Sequence, residues 1–189
     1  MHASQLNALQ IDRSTGLVAH VRQVLSPHFD ERPAGSAPEL IVVHGISLPP
    51  AEFGGPWIDR LFTGNLPAEA HPFFRDIAAS RVSAHGLIRR SGELVQYVPF
   101  DKRAWHAGKS EYRGRSACND FSIGIELEGT DDLAYEAAQY TRLAELIGAL
   151  LATYPSLAPE RVLGHSDIAP GRKSDPGPSF DWDRLRSML

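Results

Sequence analysis

Phe121-Ser-Ile-Gly-Ile-Glu-Leu-Glu-Gly129 is the stretch from which the fold can be read. Side chains alternate across a β-strand with a period of two. One face would therefore carry Phe121, Ile123, Ile125 and Leu127, and the other Ser122, Gly124, Glu126 and Glu128. The apolar face asks for a core. The second face sets two acids beside two very small residues, which leaves room for a ligand and lets a carboxylate serve as a general base. Two glutamates on an open, solvated face would give the same pattern. Glu126 is the catalytic candidate of the pair, because Glu128 is expected nearer the strand end and solvent, in a supporting part.

Outward from this strand the chain alternates between strand-like and helical segments. Upstream, Leu40-Ile-Val-Val43 is a short β-branched run bounded by turn residues, with His44 expected where the strand ends. Residues 47–57 are too rich in Pro and Gly for anything but a loop, of the kind that often walls a site. Gly16 to Leu25 reads as a weak strand, Pro72 to Ala79 as a helix, and 82–90 with 93–99 as a hairpin around Ser91-Gly92. Downstream, 134–154 has Leu143, Leu146, Ile147, Leu150 and Leu151 at helical spacing and stops before Pro155. Arg161 to Gly164 is a last strand that ends at His165, residues 166–179 form a loop, and 181–189 a terminal helix. Residues 1–15 are polar and expected to fray. The order implies a single α/β domain over 16–189, with a mixed central sheet flanked by helices.

Composition narrows the classes of function. The chain has 189 residues, 42% hydrophobic and 22% charged, with a formal net charge of −4; these are the proportions of a globular protein. Its longest basic clusters are pairs, Arg89-Arg90 and Lys102-Arg103, which argues against nucleic acid as a partner. Cys118 is the only cysteine, so no intramolecular disulfide can form. No stretch approaches the roughly 20 apolar residues that span a bilayer, and the first residues lack a basic segment followed by an apolar run. A cytoplasmic location without a membrane partner is the expectation.

A catalytic zinc takes three protein ligands and keeps one position open. His44 and His165 each end a candidate strand, so neighbouring strands would project both imidazoles from one sheet edge. Asp175 follows His165 by ten residues in a loop stiffened by Pro170, Pro176 and Pro178. This makes a His-His-Asp set. Asp167, His85 and His106 are rival ligands by residue type, and Asp175 before Pro176 could also just start a turn. Lys173, two residues before Asp175, could stabilise a developing oxyanion.

Several blocks are long and unusual in composition: Val43-His-Gly-Ile-Ser-Leu-Pro-Pro50, Glu52-Phe-Gly-Gly-Pro-Trp57, His71-Pro-Phe-Phe74, Arg81-Val-Ser-Ala-His85, Gln96-Tyr-Val-Pro-Phe-Asp-Lys-Arg-Ala-Trp-His-Ala-Gly108, Asn119 to Thr130, and Gly164-His-Ser-Asp-Ile-Ala-Pro-Gly-Arg-Lys-Ser-Asp-Pro-Gly177. Together, from about residue 16 onward, they resemble the cytoplasmic 1,6-anhydro-N-acetylmuramyl-L-alanine amidases (AmpD type). The resemblance implies the fold of peptidoglycan-recognition proteins, zinc on His44, His165 and Asp175, Glu126 as general base and acid, and Lys173 at the oxyanion. Three positions depart from the family pattern: Gly45 stands where Asn is common, Gly86 where Cys is common, and Ala117 where an arginine is sometimes found.

The same resemblance implies hydrolysis of the amide between the lactyl group of anhydro-muramic acid and L-alanine of the stem peptide, in peptidoglycan recycling. The partner would be a small muropeptide and the protein a monomer. Arg81 is a candidate for a substrate carboxylate, and Trp105 and His106 for the sugar groove; Arg81 could equally anchor the hairpin, and Trp105 could belong to the core. Two other classes compete: a module that recognises wall fragments without cutting them, and an exported amidase acting on intact wall.

Overall fold

The computed structural model describes residues 9–189. Six strands form the main sheet: β1 (Arg22–Gln23), β2 (Leu40–Ile46), β3 (Gly86–Ile88), β4 (Leu94–Gln96), β5 (Ser122–Glu128) and β6 (Val162–Gly164). Their spatial order is β6-β2-β5-β3-β4-β1. All neighbours run parallel except β3 and β4, which form the expected hairpin. The helices are α1 (Trp57–Phe62), α2 (Phe74–Ile77), α3 (Ala137–Thr153), α4 (His165–Ile168) and α5 (Trp182–Arg186). The mixed sheet with flanking helices is the architecture anticipated from the strand–helix alternation.

The two long strands, β2 and β5, lie side by side at the centre in parallel register, with Ile125 opposite Val43 and Glu126 opposite His44. All seven residues of β5 are buried, as expected of a parallel strand covered on both faces. One face carries Ile41, Val43, Ile88, Ile123, Ile125 and Leu127 against Tyr140, Leu143, Leu146, Ile147 and Leu150 of α3. That helix starts on a capping box between Glu136 and Gln139. The Gln139 amide also donates to the carbonyls of Ile88 (3.2 Å) and Glu128 (3.0 Å), tying the helix start to the strand ends.

The opposite face is divided. On the β3–β4 side, Leu87, Val95 and Tyr97 pack with Ile58, Leu61, Phe62 and Phe74 of α1 and α2. On the β2–β6 side, Leu40 and Val42 pack with Ala107, Cys118, Phe121 and Ile168. Between these two apolar clusters run the polar residues of β2 and β5, including His44 and Glu126.

Several expectations are corrected. His44 is the fifth of seven strand residues rather than the last, because β2 continues to Ile46. His165 opens a helical turn instead of closing a strand. The loop 47–57 gives way at Trp57 to α1, whose Ile58, Leu61 and Phe62 are buried; Pro56 caps it, and the Gly-Pro richness before it hid the start. The weak strand 16–25 is two short ones, Leu17–Val18 and Arg22–Gln23. Phe121 does not share a face with Ile123. A 3₁₀ turn at Cys118–Asp120 precedes it and its ψ is 14°, so the alternation begins only at Ser122 and Phe121 joins Leu40 and Val42. Of the segment 1–15 expected to fray, residues 1–8 lie outside the described residues, whereas Ile11–Asp12 pairs with Leu17–Val18. Among the described residues no helix is long and apolar enough to cross a membrane.

Leu143 is fully buried at the centre of the α3–sheet contact. Leu143→Ala should lower the unfolding free energy by about 2–5 kcal/mol in a urea titration; a loss well under 1 kcal/mol would mean that α3 contributes little to the core.

Candidate metal centre

Three side chains from separate segments converge on one point. His44 comes from the middle of β2, His165 from the first residue of α4, and Asp175 from the loop beyond it. The Nδ1 atoms of His44 and His165 are 3.0 Å apart, and each lies 3.1 Å from Asp175 Oδ2. Ligands bound at about 2.0–2.1 Å around a tetrahedral ion would be about 3.3 Å from one another. The set is the one group of three or more His, Cys, Asp or Glu among the described residues with its donor atoms so close.

The partners of the remaining ring nitrogens support the same reading. His165 Nε2 lies 3.2 Å from the Ala107 carbonyl, which can only accept, and 3.4 Å from Arg172 Nη2; with the proton on Nε2 for the nearer carbonyl, Nδ1 is free for an ion. His44 Nε2 lies 2.9 Å from His106 Nδ1, and His106 Nε2 lies 3.1 Å from Ser122 Oγ. Donation along that chain in the direction His44 to His106 to Ser122 is the arrangement that would free His44 Nδ1 for an ion. Oriented imidazoles with a hydrogen bond on the far nitrogen are the usual second layer of a metal site. Two bare nitrogens and a carboxylate at this spacing need a positive charge among them. A divalent cation fits that donor set, three protein ligands being the number that a catalytic zinc takes.

Electrostatics follow from burial. Desolvation pulls His44 down to about 4 against the opposing pull of Asp175, and His106 well below its ordinary value. Burial pushes Asp175 up, but the two imidazoles against its Oδ2 outweigh burial and hold the carboxyl far below the usual carboxylate range. Glu126 goes the other way. Desolvation, reinforced by the negative charge of Asp175, raises it well above an ordinary glutamate, with Lys173 pulling back. Its Oε2 is buried without a hydrogen-bond partner, a costly state in a native core. It sits in register beside His44 on the adjacent strand, about 4.8 Å away at the backbone. Lys173 is exposed and close enough for its charge to act on both Glu126 and His44.

The rival ligands have other duties. Asp167 accepts from the Gly164 backbone N–H at 2.8 Å and caps α4. His85 is fully buried, takes the Gly124 N–H on Nδ1 at 3.0 Å and reaches the Lys102 carbonyl from Nε2 at 3.0 Å; burial holds it neutral, down to about 3. His106 is a neighbour of the ligand His44, seated over Gly124, where any Cβ would overlap its ring. Glu128 is not near solvent: it is 2% exposed and receives the Gly54 N–H at 2.6 Å, the Arg90 N–H at 3.3 Å and Arg89 Nη1 at 3.4 Å. It thus fastens the wall loop 47–57 to β5. Trp105 is half-buried, stacked on His28 with ring centroids 6.0 Å apart and donating to Asp30 Oδ1 at 3.1 Å. Arg81 is exposed and lies outside the buried cluster.

Sequence reasoning missed the groups that orient the ligands. Ser122 holds His106, and Asn119 Oδ1 accepts from the backbone N–H groups of His106 (3.1 Å) and Ala107 (2.8 Å), positioning both. The only advance signal was the pairing of a tiny residue, Gly124, with a nearby Trp-His motif. Gly45, one of the departures, has a Cβ direction filled by the Tyr135 hydroxyl. Gly86 has ordinary room beside Leu94.

In the metal-free protein, unfolding frees His44, His85 and His106 to take up protons as pH falls below about 6.5, while only Glu126 gives one up. Histidines held neutral in the fold contribute stability that is complete above the unfolded value and is lost on acidification. Stability measured by urea unfolding with chelator should therefore fall from pH 7 to pH 5, at its steepest by more than about 1.4 kcal/mol per pH unit. A flat profile there would mean that these rings are not held neutral.

Known proteins resemble this chain in sequence and fold. Residues 34–178 match the family model Amidase_2, described as N-acetylmuramoyl-L-alanine amidase. The 1,6-anhydro-N-acetylmuramyl-L-alanine amidase AmpD of Escherichia coli K12 is 64% identical over 174 residues, covering 92% of this chain and 94% of that protein. The AmpD of Haemophilus influenzae is 50% identical, covering 94% and 97%. A crystal structure of a selenomethionine AmpD derivative superposes with a TM-score of 0.91 at 62% identity, covering 95% of this chain and 98% of that one. The chain belongs to the N-acetylmuramoyl-L-alanine amidase family and is an amidase.

Proposed function

We propose that this protein is a zinc-dependent amidase that cuts the bond between the lactyl group of 1,6-anhydro-N-acetylmuramic acid and L-alanine of the stem peptide, in peptidoglycan recycling. The observation that carries it is the His44–His165–Asp175 triangle beside an unpartnered, buried Glu126. The relatives add the substrate class. The AmpD proteins are named for this bond, and the related AmpDh3 of Pseudomonas aeruginosa, 30% identical with a TM-score of 0.59, is described in complex with an anhydromuramic pentapeptide.

His44, His165 and Asp175 would hold the zinc, which when bound would supply Lewis acidity towards the amide carbonyl and lower the pKa of a water towards 7. The chain's own residues do the rest. Glu126, with its raised proton affinity, takes the proton of the attacking water and returns it to the departing amine; a base tuned towards neutral pH is the effective kind. Lys173 presents its ammonium to the oxyanion that grows on the carbonyl. His106, Ser122 and the Ala107 carbonyl keep the two imidazoles turned with Nδ1 towards the ion. Trp105 and His106 line the sugar side and Arg81 meets a substrate carboxylate. With this reading go residues 16–189 as the amidase domain, a monomer, a cytoplasmic location and no nucleic-acid or membrane partner.

The test is hydrolysis of anhydro-muramyl tripeptide by zinc-loaded protein, alongside a chelated sample and Glu126→Ala. Wild type alone should release free peptide, with Glu126→Ala slower by roughly 10²–10⁴-fold. Fragment binding without turnover by the zinc-loaded wild type would instead mark a recognition module. Lys173→Ala should lower kcat by roughly 10²-fold or more while leaving bound zinc unchanged; unchanged kcat would remove Lys173 from the oxyanion.

A further inference from the structure

Asp175 is the one ligand supplied by a loop, so something must hold that loop in place. Its own backbone carbonyl accepts from the Ser166 N–H at 3.0 Å, at the start of α4. The next residue, Pro176, has no N–H to offer, and its carbonyl accepts from the Tyr135 hydroxyl at 2.9 Å. Asp175 is thereby pinned on both sides, once from the helix that carries His165 and once from a side chain 41 residues away from Pro176.

The path of Tyr135 to that carbonyl is narrow. The side chain is 5% exposed and its ring meets Phe180 edge to face, centroids 5.4 Å apart. A Cβ on Gly129 would overlap the ring, and a Cβ on Gly45 would overlap the hydroxyl. Two glycines therefore clear the ring and its oxygen, and one of them directly follows the ligand His44. A phenol is too rigid to yield at its tip as a lysine would.

We propose that Tyr135 is a positioning residue for the metal, acting through the Pro176 carbonyl to aim the Asp175 carboxylate, with Gly45 as the space that lets its hydroxyl arrive. This rests on reading the triad as a zinc site. The hydroxyl holds the main chain beside the ligand, so its loss loosens one of three donors without removing any. The same geometry makes Gly45 and Tyr135 a coupled pair. An added methyl at 45 displaces the hydroxyl, whereas with phenylalanine at 135 the nearest ring carbon is 3.7 Å from that methyl, an ordinary contact.

The experiment is a double-mutant cycle of Tyr135→Phe, Gly45→Ala and the pair, reading zinc dissociation constants by chelator competition and the thermal midpoint of each metal-free protein. Tyr135→Phe is expected to weaken zinc roughly tenfold with the metal-free midpoint little changed. Gly45→Ala should weaken it similarly, and the double variant no more than either alone, since the methyl meets no hydroxyl there. A zinc constant for Tyr135→Phe within twofold of wild type would overturn the proposal, and so would additive losses in the pair. If Tyr135→Phe does not fold, Gly45→Ala alone decides it by the same twofold criterion. Failure of wild type to bind zinc stoichiometrically would instead bring down the metal reading beneath it.

Discussion

The parallel register of β2 and β5 places His44 directly beside Glu126, and the rest of the site depends on that pairing. In a parallel pair, residues in register share a face. The same alternation that sends Val43, Ile125 and Leu127 into the core under α3 therefore sends His44 and Glu126, the candidate metal ligand and the candidate base, to the other side together. A slip of one residue in either strand would turn that strand's polar group against α3 and its apolar row away from the core. The hydrophobic contact with α3 thus holds the chemistry in register from behind.

A polar row on a buried strand is unfavourable unless each group is answered. His44 is met by His106, His85 by the Gly124 N–H and the Lys102 carbonyl, and Glu128 by Arg89 and two backbone N–H groups. Glu126 is the exception, with one oxygen unanswered. Such a group calls for an explanation, and a place beside the triad supplies one. The division of this face into two apolar clusters has a related cause: His106 fills the hollow over Gly124, and the polar row that results keeps the clusters apart.

Rigidity is unevenly distributed around the triad. His44 belongs to the most buried part of the sheet, and His165 starts a short helix capped by Asp167. Asp175 comes from a loop and relies on hydrogen bonds at its own carbonyl and the next one. Ligands from unlike elements can meet at one point because each element is anchored separately, by the α3 core, by the Ala107–Arg172 contacts behind His165, and by Tyr135. The wall loop 47–57 is fastened in turn through Glu128 and Arg89, so the two glutamates of one strand divide into an unpartnered carboxyl beside the triad and a structural tie.

The strand–helix order, the two central strands, α3 and the residue types of the triad were legible in the chain alone, because periodicity and block resemblance are local properties. Glu126 stood out as well, through the tiny neighbours that share its face. Local pattern could not separate Glu126 from Glu128 for the right reason. Glu128 was expected nearer solvent, whereas the packing of loop 47–57 buries it among N–H donors. Nor could it dismiss His85, His106 or Asp167 as ligands, since only the folded chain says which nitrogen faces which partner. Phe121 was misplaced because a 3₁₀ turn shifts the phase of the alternation, and α1 was hidden behind Pro and Gly. The contacts that Ser122, Asn119 and Tyr135 make around the triad came from tertiary packing. They arise where segments far apart in the chain come within hydrogen-bond reach, and no spacing within one segment encodes that distance.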